Sequence, residues 1–151
     1  MSWINAYRKT GRLDGRCLCG QVRITVDGKH IAAIGVCHCR MCQRWAGYTY
    51  GTFEAEADAV SVQGEVTVYA SSDFSSRAFC PSCGSSLWMR NGDDGAYELM
   101  PGLFPDAADF PLVSEIYTDC RPAYVPLAGR HRSKTRAEYE AGAQHIEGDD
   151  P

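Results

Sequence analysis

Seven of the eight cysteines in this 151-residue chain fall into three tight clusters, Cys17-x-Cys19, Cys37-x-Cys39-x-x-Cys42 and Cys80-x-x-Cys83. Thiolates so close along the chain can converge on one metal ion, and this spacing is that of metal ligands rather than of a disulfide ladder. The clusters divide into four thiolates plus three. A four-thiolate zinc site is closed and structural, whereas a three-thiolate site keeps one position open for chemistry. Two zinc ions are therefore expected, one holding the fold and one able to react.

Cys80-Pro81-Ser82-Cys83-Gly84 reads as half of a zinc ribbon, a tight turn with Gly84 free to take a positive φ after the second ligand. Cys17 and Cys19, two residues apart in an extended segment, would present both sulfurs on one side and complete the set. Zinc on Cys17, Cys19, Cys80 and Cys83 would tie the start of the domain to its middle, so losing a ligand should cost folding. In Cys37-His38-Cys39-Arg40-Met41-Cys42 the same alternation turns His38 away from the face that Cys37 and Cys39 share, so His38 reads as a histidine bonded to nearby backbone. The fourth position is left to water, a substrate or a distant side chain. Cys120 is the competitor for it, and an inert buried thiol is the alternative role for that residue.

Three thiolates on Zn²⁺ leave a net negative charge, which makes a poor activator of water but still accepts soft sulfur. The expected visitor is a thiol, whose pKa coordination lowers from about 8.5. Arg40 and Arg44, if turned toward the metal, would offset part of the added charge. No general acid or base stands out, because no histidine is visibly partnered and Glu54 and Asp73 read as surface residues.

The elements that must position these thiols are mostly strands. Gln21 to Asp27 alternates polar and apolar residues, and shorter strand signals recur at 48–53, 60–62, 66–70, 77–79, 87–90, 97–100 and 115–118, separated by Gly, Ser, Asp or Pro clusters. Asn91 to Gly95 reads as a hairpin turn. The helix candidate is Thr135-Arg136-Ala137-Glu138, a capping box, and the acidic stretch from Gly142 to Pro151 is expected to fray. With 44% hydrophobic residues the chain is one domain in size: a lead-in over 1–14, a zinc domain over 15–130, and a short helix with a tail over 131–151. A net charge of −4 weighs against nucleic-acid partners, and without a long apolar run or signal-like start a soluble, cytoplasmic protein with reduced thiols is expected, away from membranes. The Arg130-His131-Arg132 stretch reads as solvated charge.

With those residues placed, a resemblance becomes specific. Gly15-Arg16-Cys17-Leu18-Cys19-Gly20-Gln21-Val22, then Cys37-His38-Cys39-Arg40-Met41-Cys42-Gln43-Arg44, then Phe79-Cys80-Pro81-Ser82-Cys83-Gly84-Ser85 resemble the glutathione-dependent formaldehyde-activating family, which includes centromere protein V. The resemblance implies a zinc-bearing β-tent of short antiparallel strands with little helix. It also implies a structural zinc on Cys17, Cys19, Cys80 and Cys83 and a second zinc on Cys37, Cys39 and Cys42, where glutathione binds and where those three residues serve the chemistry. The reaction it implies is carbon–sulfur lyase-type, joining glutathione to formaldehyde as S-hydroxymethylglutathione. Beyond residue 90 the match weakens: where family members often carry a histidine and a tryptophan, this chain has Glu115-Ile116-Tyr117 and Ala123-Tyr124-Val125. The segment Glu98 to Phe104 also departs from the family pattern, and Phe104 and Phe110 either line a pocket or fill the core. Two other functions stay open, a non-catalytic thiol carrier or sensor and an interaction scaffold, because one fold hosts many functions.

Overall fold

The computed structural model describes residues 2–146, and of the tail expected to fray, 147–151 lie outside the described residues. Among the described residues the chain is mostly β, with eleven strands and two short α-helices. The strands are β1 (Arg8–Arg16), β2 (Arg23–Ile31), β3 (Ile34–Cys37), β4 (Tyr50–Ala55), β5 (Val60–Gln63) and β6 (Thr67–Ala70). They continue with β7 (Ser75–Phe79), β8 (Ser86–Asn91), β9 (Tyr97–Leu99), β10 (Leu112–Ile116) and β11 (Arg132–Lys134). The helices are α1 (Arg40–Ala46) and α2 (Arg136–Glu140). No helix among the described residues is long and apolar enough to cross a membrane.

The chain forms two compact units, residues 2–33 with 52–111, and residues 34–51 with 112–146. In the first unit every strand pairing is antiparallel. β1 pairs with β2 along its whole length, from Arg8 opposite Ile31 to Arg16 opposite Arg23, so the second half of the stretch read as a lead-in is strand. β2 pairs on its other edge with β5, and β4, β9, β8, β7 and β6 follow in order. The alternation read around Ile24 and Val26 is the pleat at work. Both side chains are fully buried, each worth about 1.5–3 kcal/mol of transfer free energy, while Arg23 and Asp27 are exposed. The core is completed by Phe53, Leu87, Leu99 and Phe104, with Phe53 meeting Phe104 and Phe110 edge-on at 5.2 and 5.4 Å. Phe104 therefore belongs to the core.

The second unit departs from the antiparallel expectation. β10 pairs parallel with β3 on one side and with β11 on the other. Parallel neighbours cannot be joined by a tight hairpin, and the long stretches of chain between these strands make that pairing available. α2 has the expected capping box, Thr135 Oγ1 accepting from the Glu138 N–H (3.3 Å) and Glu138 Oε2 accepting from the Thr135 N–H (2.8 Å). α1 is bounded by Cys39 as N-cap and by left-handed Gly47, whose N–H donates to the Gln43 carbonyl at 2.8 Å.

Candidate metal centre

In the first unit the turn between β1 and β2 wraps around one thiol. The Cys17 N–H donates to the Val22 carbonyl (3.0 Å), the Gly20 N–H donates to the Cys17 carbonyl (3.1 Å), and the Val22 N–H points at Cys17 Sγ (3.3 Å). Between β7 and β8 the figure recurs, with the Cys80 N–H on the Ser85 carbonyl (3.0 Å) and the Gly84 N–H on the Cys80 carbonyl (2.9 Å). Gly20 and Gly84 sit at φ of 80° and 77°, a region where a side chain costs energy, so glycine follows the second cysteine in both turns. Cys17 and Cys19 thus meet through a turn and not through an extended segment. The Leu18 N–H donates to Ser85 Oγ (3.0 Å) and Ser82 Oγ donates to Gln21 Oε1 (2.6 Å), lacing the turns together.

The thiols of Cys17, Cys19, Cys80 and Cys83 lie within 4.8 Å of one another, with 3.5 Å between Cys17 and Cys19 and 3.8 Å between Cys19 and Cys80. None of the eight cysteines is in a disulfide. A tetrahedron of thiolates at the Zn–S distance of about 2.3 Å has edges of about 3.8 Å, so these donors fit that ion. Their acidities are split: the Ser85 hydroxyl and backbone N–H groups draw Cys83 down to about 5. Cys19 is pushed up to about 11, its backbone hydrogen bond at Gln21 being outweighed by burial and by the neighbouring thiols. Four thiolates this close need a cation to be ionised together, which is the coupling that makes metal binding depend on pH.

In the second unit the middle cluster straddles the end of β3 and the start of α1. Cys39 caps the helix, its sulfur accepting from the Cys42 N–H at 3.4 Å, and this single turn brings Cys42 back beside it. Cys37, Cys39 and Cys42 present their sulfurs within 4.8 Å of one another, and Cys120 is outside that group. Crowding by Cys39 and Cys42, and then burial, raises the Cys37 thiol well above its ordinary value, again a donor set that a cation would relieve.

His38, the residue after β3, is not grouped with the thiols, and its partner is a carboxylate rather than nearby backbone. His38 is 2% exposed and its Nε2 lies 2.6 Å from Glu115 Oε1. Glu115 itself is 2% exposed, and it also meets Arg121 NH1 (3.0 Å) and, through Oε2, His131 Nε2 (2.5 Å). Burial alone would raise the Glu115 pKa, but the hydrogen bonds from His131, His38 and Arg121 outweigh it and hold the carboxyl below its usual range. Parallel pairing makes this meeting possible: Glu115 sits opposite Val36 and Ile116 opposite Cys37, and the His38 N–H donates to the Ile116 carbonyl (3.0 Å).

A family model for the glutathione-dependent formaldehyde-activating enzyme matches residues 12–120. The chain belongs to that family. It is 31% identical over 142 residues to a protein of Halomonas elongata provisionally named as a glutathione-dependent formaldehyde-activating enzyme, covering 84% of this chain and 88% of that one. It is also 28% identical over 120 residues to an uncharacterised lyase of Schizosaccharomyces pombe, covering 78% of this chain and 86% of that one. At the level of the family, the chain is a carbon–sulfur lyase-like enzyme.

Within this formaldehyde-activating family member, four site features escape a reading of residue types. Glu115 and His131 are partners that the sequence expectation of unpartnered histidines and a solvated Arg130-His131-Arg132 stretch did not contain. Gln43 Nε2 donates to the His38 carbonyl (2.6 Å) and the Cys120 carbonyl (3.0 Å), tying α1 to both segments. Tyr117 holds φ 55°, ψ 43°, a left-handed conformation costing an aromatic residue about 1–3 kcal/mol. That kink turns the chain out of β10 into the 3₁₀ turn Thr118–Cys120, and the Tyr117 hydroxyl donates to Glu140 Oε1 (3.2 Å). No glycine or asparagine stands at the kink to mark it in the sequence. Arg40 and Arg44 lie with Gln43 on one face of α1 and line a cavity of about 580 Å³ that also reaches Cys120.

Proposed function

We propose that the protein joins a low-molecular-weight, glutathione-like thiol to a small aldehyde such as formaldehyde, with Cys37, Cys39 and Cys42 holding the zinc at which the thiol is activated. Cys17, Cys19, Cys80 and Cys83 hold a second, structural zinc in this reading. The observation that carries it is the contrast between two thiol clusters of one chain, four sulfurs in mutual reach in the first and three in the second, with Cys120 outside. Zinc held by three thiolates accepts a fourth sulfur and lowers its pKa, supplying thiolate near neutral pH.

The protein's own groups then hold the site in shape. Cys39 caps α1 and sets Cys42 beside it, Gln43 pins the His38 and Cys120 carbonyls, and Glu115 fixes His38 between the first two ligands. In the reaction the sulfur–carbon bond forms as the carbonyl π bond breaks, and the thiol's proton ends on the former carbonyl oxygen. No electrons change hands. No histidine or carboxylate among the described residues lines the cavity on α1, and in this reading water serves as the proton carrier. That same observation favours a second reading, a thiol-binding protein without turnover, since thiols and formaldehyde react readily once gathered.

Cobalt-substituted protein titrated with glutathione tests the site, and the rate of adduct formation against a protein-free control tests turnover. New thiolate charge transfer that is absent in Cys39→Ala, with a rate above the control, is expected. An unchanged spectrum would overturn the reading, and binding with no rate gain would leave the thiol carrier.

A further inference from the structure

The exposed face of the β1–β2 ladder places its charges unevenly. Residues directly opposite each other in an antiparallel pair share a face, so Arg16 on β1 and Arg23 on β2 stand side by side, both exposed, with the neutral Gln63 of β5 next in the row. Like charges set directly opposite each other repel and destabilise a ladder. Elsewhere on the hairpin the guanidinium groups are matched: Arg8 meets Glu56 (3.1 Å), and Arg12 holds Asp14 through two bonds of 3.1 and 3.2 Å. Asp14 lies two residues from Arg16 along β1, yet it is turned to Arg12 and to the Thr25 hydroxyl (3.1 Å). Neither Arg16 nor Arg23 forms an ion pair with a carboxylate among the described residues.

This unmatched pair borders the first thiol cluster. Arg16 immediately precedes Cys17 and Arg23 immediately follows Val22, so the two bracket the whole turn that carries Cys17 and Cys19. The Arg16 guanidinium folds back over that turn: a Cβ on Gly20 would lie 2.8 Å from its NH1. Gly20 directly follows Cys19, the exposed thiol of the four, whereas Cys17 and Cys80 are buried. Zinc held by four thiolates is a doubly negative centre, and Cys19 is where that charge comes nearest to solvent. From this we infer that Arg16 and Arg23 are the counter-ions of the four-thiolate centre, positioning residues outside the ligand set that retain its metal through charge. The inference rests on the proposed structural zinc at Cys17, Cys19, Cys80 and Cys83. The repulsion between the two arginines is then offset by the centre they flank, so the last rung of the ladder and the metal depend on each other.

Chelator competition on the zinc-loaded full chain tests this, with Cys39→Ser identifying which of the two zinc ions belongs to the middle cluster. In Arg16→Gln the four-thiolate zinc should be extracted about 10-fold more readily at low salt, the lower end of what losing an outer-shell partner costs, with Arg23→Gln shifted in the same direction and the middle-cluster zinc unchanged. The difference should shrink to within about twofold in about 1 M potassium chloride, where the screening length is about 3 Å. Arg16→Lys keeps the charge and should stay within about threefold of the wild type at either salt concentration. Unchanged extraction in both glutamine variants would overturn the inference. So would a loosening that survives high salt or that lysine does not rescue, since Arg16 would then be a packing residue of the turn. The spectrum of the cobalt-substituted wild type distinguishes a failure of the underlying reading: without the bands of a four-sulfur site there is no such centre and the inference falls with it, whereas with those bands and no arginine effect the inference alone falls.

Discussion

Replacing Glu115 with alanine should be the most damaging change outside the cysteines themselves. The carboxylate is 2% exposed and serves His38, also 2% exposed, His131, 9% exposed, and Arg121, 40% exposed. Arg121 can turn to water, so little is lost there. The two imidazoles cannot. Breaking a buried charge-assisted set by removing one partner costs about 3–5 kcal/mol, because the groups left behind stay desolvated. Against a total stability of about 5–15 kcal/mol for a protein of this class, that is a large share. Urea unfolding of the zinc-loaded protein measures it. His38 sits between Cys37 and Cys39, so the loss should also loosen the middle cluster: a chelator should extract one zinc about 10–100-fold more readily, as when an outer-shell partner is removed, while the other zinc is unaffected. A stability change under about 1 kcal/mol, or equal loosening of both zincs, would refute the reasoning.

The same variant position gives a pH signature. The folded-state pKa of Glu115 is depressed below its ordinary 4.5, so its contribution is complete above about pH 4.5 and is lost as pH falls through the lower folded value. Glu115→Gln should therefore flatten the acid limb of the stability curve. It should also be milder than Glu115→Ala, since an amide can accept from one imidazole and donate to the other.

Two further expectations follow from other parts of the molecule. Cys80→Ser should prevent folding of the first unit, whereas Cys39→Ser should leave a folded protein with its zinc content reduced from two ions to one, as read by circular dichroism and metal analysis. Glu98 is raised from 4.5 to about 7, by burial first and then by Glu54 directly opposite on the neighbouring strand, with Arg77 opposing. The folded protein thus holds a proton that the unfolded chain releases, so stability should fall between about pH 4.5 and 7, by about 3 kcal/mol at 1.36 kcal/mol per pH unit, and level off above. Glu98→Gln should remove that slope, and a wild-type urea midpoint that is unchanged between pH 5 and pH 8 would count against the assignment.

What could be read in advance divides along a physical line, between chemistry set by neighbours in sequence and chemistry set by neighbours across strands. Each pair or triple of thiols was legible because a turn of three to five residues decides where its own sulfurs point, and the capping box at Thr135 and Glu138 is equally local, whereas the meeting of Cys17 and Cys19 with Cys80 and Cys83 joins turns 61 residues apart. The strands with buried alternation, such as β2, were legible for the same reason. β1 was not, because Arg8-Lys9-Thr10-Gly11-Arg12-Leu13-Asp14-Gly15-Arg16 buries only Leu13 and is extended by its pairing with β2 rather than by its own pattern. α1 was hidden by its length of seven residues and by a cysteine in place of the usual hydroxyl or amide cap. Glu115 lies 77 residues from His38 and 16 from His131, and no periodicity links them. The parallel registers of β3 and of β11 on β10 do so. The consequence is that residue types name which atoms can bind a metal, while the groups around Glu115 that hold the middle cluster's neighbours still are set by the pairing of distant strands. Two members of this family with the same cysteine motifs but a different residue at the Glu115 position should therefore differ first in how tightly the middle cluster keeps its metal.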